Sequence, residues 1–299
     1  MSRPAAIRVL VTGSYGQVGT ELGRAAWPAG TEVVGIDRDV LDITDEAAVR
    51  AKVAELAPRL MVNAAAYTAV DRAEDDAAAA FAVNRDGPAV LARVAAEAGI
   101  PLIHISTDYV FDGSKDGPYT EDDPVAPLGV YGISKEAGDR AVRETLAAHV
   151  ILRTAWVFAG HGGNFVRTML RLAGERDELR VVADQHGCPT AASDIARAIV
   201  AVARAIVWEG RTDAFGTYHF AGAGPTTWHQ FAETAIALAA ERTGRRPVVR
   251  AITTADYPTP TRRPANSVLD CRRIGQVFGI HPRPWRDTLP EAVAELLET

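Results

Sequence analysis

Tyr131-Gly132-Ile133-Ser134-Lys135 sets a phenol and an ammonium four residues apart, which places them on one face of a helix. An unperturbed tyrosine ionises near pH ~10, too high for easy proton exchange at neutrality. Cationic neighbours favour the phenolate and lower that value. Such a phenol can protonate a carbonyl oxygen while the carbon is reduced, so the pair suits ketone reduction. The spacing alone also arises by chance. Here the preceding apolar run ends in Ser106-Thr107-Asp108, which supplies a hydroxyl to orient the substrate oxygen.

Reduction needs a hydride source, and the N-terminal part of the chain offers a place for one. Gly13-Ser14-Tyr15-Gly16-Gln17-Val18-Gly19 spaces its glycines as GxxGxxG between an apolar run and a helical segment. Gly13 allows a tight turn, Gly16 lets backbone approach a pyrophosphate, and Gly19 permits close helix–strand packing. The following helix start adds amide donors and partial positive charge. Asp37 ends the second apolar run and can accept hydrogen bonds from ribose hydroxyls, which favours NADH. Arg38 follows it and suits a 2′-phosphate, which favours NADPH. The two signals conflict, so the expectation is NADPH or NADH, with dual use open. Lys135 would also hold the nicotinamide ribose, and the nicotinamide's charge would assist Tyr131. Asn63-Ala64-Ala65-Ala66-Tyr67 either leaves room for adenine and its ribose or packs small side chains under a helix.

These residues need rigid elements to carry them. The first half alternates apolar runs (Ile7–Thr12, Glu32–Ile36, Leu60–Ala65, Pro101–Ser106, Val150–Val157) with helical segments. The helices are expected near Gln17–Ala26, Asp45–Ala57, Ala77–Ala98 and Gly132–Ala147, with Thr44 or Asp45 capping the second and Gly99-Ile100-Pro101 ending the third. This rhythm predicts an α/β fold, a Rossmann-type doubly wound parallel sheet with a smaller α/β substrate-binding lobe. The expected division is 1–158 mainly for the cofactor and 159–299 mainly for substrate, with some later segments returning to the sheet. In the second part, helices are expected at Asn164–Gly174, Ile195–Trp208, Thr227–Arg242 and Thr288–Leu297, and strands at Leu179–Ala183 and Tyr218–Ala221. Tyr257–Pro264 reads as a Pro-rich loop.

Composition narrows the classes of partner. Hydrophobic residues at 47% and charged residues at 23% over 299 positions suit a globular chain with a sizeable core. A net charge of -6 without a basic run argues against nucleic acid. Cys188 and Cys271 are too few and too distant to suggest a disulfide framework. The start, Met1 to Val11, shows no signal-peptide pattern, and no apolar run suits a membrane span, so a cytoplasmic location is expected. The seven histidines show no ligand spacing, and no metal site is predicted.

With these motifs assembled, the chain resembles the dTDP-4-dehydrorhamnose reductase family of extended short-chain dehydrogenases over essentially its whole length. The resemblance rests on Gly16–Gly19, Asn63–Asp71 (NAAAYTAVD), Ser106–Gly113 (STDYVFDG) and Tyr131–Lys135. More specific still are Arg153–Phe158 (RTAWVF), Asn164–Ala173 (NFVRTMLRLA), Asp184–Thr190 (DQHGCPT) and Arg263–Asp270 (RPANSVLD), which lie outside general nucleotide-binding motifs. It implies Thr107, Tyr131 and Lys135 as the catalytic set. It implies Gly16, Gln17, Val18, Asp37, Asp42, Ile43, Ala65, Ala66 and Tyr67 around the cofactor, and Thr68, Val70, Asp108 and Trp156 around the sugar. The implied reaction is the last step of dTDP-L-rhamnose formation, on a dTDP-sugar, as a possible homodimer. Some relatives place acidic residues and Mg2+ at a dimer interface, for which this chain lacks an acidic cluster.

Two residues stay open on the sequence itself. Trp156 either walls a deoxysugar's apolar face or belongs to the core. Arg263, in the Pro-rich loop, either contacts the nucleotide diphosphate or sits in a solvated basic loop. Rival functions share part of the pattern. A dehydratase of the same superfamily needs Asp then Glu after the threonine, whereas Tyr109 follows Asp108 here. An epimerase or a non-catalytic nucleotide-binding regulatory subunit would keep the glycine turn.

Overall fold

The structure is a computed structural model and describes residues 6–298; Met1 to Ala5 and Thr299, which the N-terminal reading and the two expected segments include, lie outside the described residues. Six parallel strands form the main sheet: β1 (Ile7–Thr12), β2 (Thr31–Ile36), β3 (Leu60–Asn63), β4 (Leu102–Thr107), β5 (His149–Thr154) and, from far along the chain, β10 (Gly216–His219). Their order is β10-β5-β4-β3-β1-β2, so the winding reverses between β1 and β3. That reversal opens a crevice at the carboxyl ends of the strands, where ligands bind in open parallel sheets.

The inner strands bury both faces, which is why their apolar residues run consecutively, whereas β2 lies at the edge and buries only Ile36. Val9, Val11, Leu60, Val62, Ile103, Val150 and Leu152 face one layer of helices, α1 (Gln17–Arg24) and α7 (Ala192–Ala203). Leu10, Met61, Leu102 and Ile151 face the other, α2 (Glu46–Leu56), α4 (Gly87–Ala98) and α5 (Val130–Thr145). Asp45 caps α2 by accepting from the Ala48 N–H, and Gly99 ends α4 in the left-handed conformation. The expected helix 77–98 is helical throughout but in three pieces. A π-helical turn, Ala82–Asp86, joins α3 (Ala77–Phe81) to α4.

Above the crevice stands a smaller layer. It holds β6 (Val157–Phe158), α6 (Phe165–Glu175), β7 (Glu178–Val182), β8 (His186–Gly187), β9 (Thr190–Ala191), β11 (Thr226–Thr227), α8 (Trp228–Thr243), β12 (Val248–Ile252) and α10 (Trp285–Leu296), whereas α9 (Arg272–Phe278) returns to the main sheet, where Ile274 joins the core and Phe278 meets Tyr218 of β10. Its strands pair two by two, β11 with β8, β12 with β7 and β6 with β9. Asn164 and Thr227 cap α6 and α8 with their side chains.

The structure corrects the sequence reading at several points. The run 150–157 is not one strand: β5 stops at Thr154, and the chain then turns at Trp156 to pair Val157–Phe158 with β9. Strand β12 and helix α9 were not expected. Val248 to Ile252 lies on an exposed edge with little apolar contrast, and α9 is short, holds Gly275 and buries only Ile274.

Helix α5 approaches its neighbours unusually closely. A Cβ on Gly138 would stand 2.0 Å from the Asn84 carbonyl oxygen in the π-helical turn. Gly138→Ala is therefore expected to destabilise the fold by about 1–3 kcal/mol through overpacking. Gly174→Ala in α6 has no atom within 4 Å of its new methyl and should gain about 0.5–1 kcal/mol. Urea denaturation midpoints at unchanged slope measure both.

Candidate active site

The crevice floor is the turn after β1 against the end of β3. Gly13 has φ +73°, and a Cβ there would lie 2.5 Å from the Ala65 nitrogen, so only glycine lets the two backbones meet. Gly19 is equally constrained, its Cβ position falling 2.1 Å from the Gly13 oxygen. Gly16 begins α1, and no side chain caps that helix. The first N–H groups of α1 are thus left for an anion. Gln17 holds a buried side-chain oxygen with no hydrogen-bond partner at the same place, and Val18 packs below. A glycine cradle, an uncapped helix start and an orphaned amide oxygen fit a dinucleotide.

Asp37 and Arg38 stand at the rim. Both Asp37 oxygens are engaged, Oδ2 by the Tyr15 N–H at 2.9 Å and Oδ1 by the Arg38 N–H at 2.8 Å. The carboxylate is therefore fixed across the glycine turn, while the Arg38 side chain is exposed and makes no ion pair among the described residues. Asp42 spends one oxygen on the Thr44 N–H and hydroxyl. Ile43 is buried against Gly87. Ala65, Ala66 and Tyr67 continue from β3 along the crevice, half-buried.

Tyr131 and Lys135 lie on the buried face of α5, beside the end of β4. Thr107, the last residue of β4, accepts from the Tyr109 N–H and donates to Asp108 Oδ1 at 3.0 Å. The same hydroxyl lies close enough to the Tyr131 phenol to favour its ionised form. The three expected groups, Thr107, Tyr131 and Lys135, are brought together. The protein groups do not lower the phenol's ionisation as the spacing led one to expect. Burial pushes it up, opposed by Thr107. Lys135 instead donates to the Ile105 carbonyl at 2.7 Å. Burial lowers the ammonium to about 8, with Asp139 acting the other way. Asp108 is buried with Oδ2 unpartnered, and burial pushes its carboxyl up to about 6 against hydrogen bonds from Ser267 and Thr107.

Sequence reasoning missed Asn84. In the π-helical turn, its Oδ1 accepts from the Tyr67 N–H at 2.8 Å, and its Nδ2 donates to the Tyr67 carbonyl and the Ser134 hydroxyl. It thereby ties the crevice segment to the helix carrying Tyr131 and Lys135. The available signal was a polar, weakly helix-forming residue inside an alanine-rich helix. Helical π turns often mark functional sites.

The expected sugar side is more spread out. Thr68 is exposed, whereas Val70 packs with Tyr67, Tyr109 and Tyr131. Trp156 has φ +47° and stacks on Trp228 with centroids 3.5 Å apart and planes 7° from parallel. It also packs over Gly187, where a Cβ would stand 2.3 Å from the indole. The loop around Arg263 is largely exposed, but the Arg263 side chain turns inward from it. It pairs with Asp71 at 2.7 Å and donates to the Tyr109 hydroxyl at 3.1 Å, beside the Tyr131 ring.

Fold and site together define a short-chain dehydrogenase/reductase of the extended class. The profile of the RmlD substrate binding domain family matches residues 7–298. A dTDP-4-dehydrorhamnose reductase of Sinorhizobium fredii is 45% identical over 291 residues, covering 97% of this chain and 98% of its own. A solved dTDP-4-dehydrorhamnose reductase from Clostridium acetobutylicum superposes with TM-score 0.89 at 37% identity, over 98% of this chain and 100% of that one. The Bacillus anthracis counterpart, solved in complex with NADP, has TM-score 0.88 at 32% identity over the same shares. The chain belongs to the dTDP-4-dehydrorhamnose reductase family. No helix among the described residues is long and apolar enough to cross a membrane.

Asp108 makes a pH-dependent stability prediction. Its folded-state value, about 6, lies above the ordinary 3.8. Between those limits the unfolded chain releases the proton while the folded chain keeps it, so stability falls as pH rises through the window. Above it the full penalty remains, on the order of 3 kcal/mol. Asp108→Asn should raise the melting temperature at about pH 7.5 and give no gain at about pH 4. Thermal unfolding at the two pH values checks this.

Proposed function

We propose that the protein reduces the 4-keto group of dTDP-4-dehydro-L-rhamnose to dTDP-L-rhamnose by hydride transfer from NAD(P)H, with Tyr131 as proton donor. The observation that carries this reading is the meeting of Thr107, Tyr131 and Lys135 at the end of the glycine crevice. When bound, NAD(P)H supplies the hydride. The uncapped start of α1, with Gly13, Gly16, Gln17, Val18 and Gly19, holds the pyrophosphate. Asp37 and Arg38 face the adenosine end, and Asp42, Ile43, Ala65, Ala66 and Tyr67 shape the adjoining wall.

Thr107 orients the keto oxygen. Tyr131 delivers its proton to that oxygen, and Lys135 stabilises the phenolate left behind and holds the nicotinamide ribose. Thr68, Val70, Asp108 and Trp156 surround the sugar. Arg263, held at the site by Asp71 and Tyr109, meets the diphosphate. In this reading residues 1–158 mainly serve the cofactor and 159–299 mainly the substrate. The protein acts in the cytoplasm, as a homodimer, with no nucleic acid or membrane partner and no metal.

The test follows loss of NADPH or NADH absorbance with dTDP-4-dehydro-L-rhamnose generated in the cuvette. Oxidation with formation of dTDP-L-rhamnose supports the reading, and cofactor binding without turnover overturns it. Tyr131→Phe should cut kcat by about 10²–10⁴-fold while cofactor affinity stays nearly unchanged, because only the proton donor is removed.

A further inference from the structure

Below Lys135 the protein buries a row of polar groups that the reaction does not touch. Asp139 lies one helical turn further along α5, fully buried. Its Oδ2 accepts from the Ser106 hydroxyl at 2.8 Å and faces Arg153 Nε at 3.3 Å. Its Oδ1 has no hydrogen-bond partner among the described residues and lies 3.6 Å from His104 Nε2. The same ring nitrogen is 3.5 Å from Lys135 Nζ.

The tautomer of His104 follows from its other side. Asn63 Oδ1 accepts from the Thr12 hydroxyl and the Ala65 N–H, so Asn63 Nδ2 faces His104 Nδ1 at 3.0 Å. That ring nitrogen must accept, which puts the ring proton on Nε2. Burial, assisted by Lys135 and His149, holds His104 far below its usual range, and hence neutral. The Nε2 proton then stands between an ammonium that cannot accept it and a free carboxylate oxygen that can.

We propose that Asp139 is a positioning residue whose carboxylate, acting across the His104 imidazole, holds Lys135 in its charged form. The inference rests on the proposed role of Lys135. An ammonium buried this deeply needs a nearby negative charge, and Asp139 is the carboxylate that acts on it. The other titratable or charged groups around it are Tyr131 on α5, His104 on β4, and Arg153 and His149 on β5. Glu136 pairs with Arg153, and Asp108, Tyr109 and Asp139 itself act on Tyr131, which is why NADH affinity is read beside kcat/KM. Arg153 competes with Lys135 for the same carboxylate.

The test uses the full chain and two readouts between about pH 6 and about pH 9. One is affinity for NADH, whose pyrophosphate does not titrate in that range; the other is kcat/KM for the keto-sugar. Lys135 keeps its charge at low pH and loses it as pH rises. Removing the Asp139 charge should make that loss occur earlier. Asp139→Asn retains an acceptor for Ser106, so both quantities should stay within about 3-fold of the parent at low pH, with the alkaline fall displaced by about one unit toward acid. A loss uniform across pH, or an alkaline fall that stays in place, overturns the proposal. Arg153→Gln frees the carboxylate and should displace the fall toward alkali. An unmoved or acid-shifted fall in that variant overturns it even where Asp139→Asn does not fold. Absence of turnover in the parent would defeat the reductase reading but leave the NADH-affinity comparison to decide the role of Asp139.

Discussion

The close approach of helix α5 to the end of β4 and to the π-helical turn is the constraint on which the site depends. Gly132 and Gly138 are the points of contact, with added Cβ atoms falling 2.2 Å from the Tyr109 oxygen and 2.0 Å from the Asn84 oxygen. Only at that separation can Asn84 reach both the Tyr67 backbone and Ser134, and Lys135 reach the Ile105 carbonyl. A helix displaced by one methyl group would lose these bonds together, because packed interiors yield little.

Such intimacy has an electrostatic consequence. It takes Lys135, Asp139 and Arg153 almost wholly out of water, where isolated charges are costly. The protein answers with a connected set of partners: Ser106 and Arg153 on one oxygen of Asp139, a neutral His104 between its other oxygen and Lys135, and Asn63 and Thr12 behind the ring. The network runs from β1 through β3 and β4 to β5, beneath the whole crevice. Half-satisfied, it would be worse than an apolar core. Asp139 Oδ1 and Arg153 Nη1 are its unpartnered atoms, and its remaining bonds tie the catalytic helix to the sheet.

Much of this was legible in the sequence, for reasons that differ by element. The alternation of consecutive apolar runs with helical periods disclosed the parallel sheet, since strands covered on both faces must be apolar on both. The glycines at 13, 16 and 19 and the Tyr131–Lys135 spacing disclosed the site, since few alternatives satisfy their geometry. What the sequence hid was set by tertiary context. The break at Trp156 follows from pairing of β6 with β9, which no local signal encodes. β12 is an exposed edge without alternation, and α9 buries a single side chain. Asn84 is a weak helix former in an alanine-rich helix, and its three hydrogen bonds to Tyr67 and Ser134 are tertiary. The spacing of Tyr131 and Lys135 discloses a neighbouring cation, whereas the burial that raises the phenol's ionisation is set by the fold.

Trp156 and Gly187 offer a last consequence, one of inheritance. The indole, in a left-handed backbone conformation and stacked on Trp228, fills the volume that any side chain at 187 would occupy. Position 187 cannot drift alone. A larger residue at 187 is tolerable only in a lineage that has already surrendered the tryptophan, and with it the stack on Trp228. Among descendants of this chain a change at 187 should follow a change at 156, so a glycine in the short strand β8 records what happens to the indole above it.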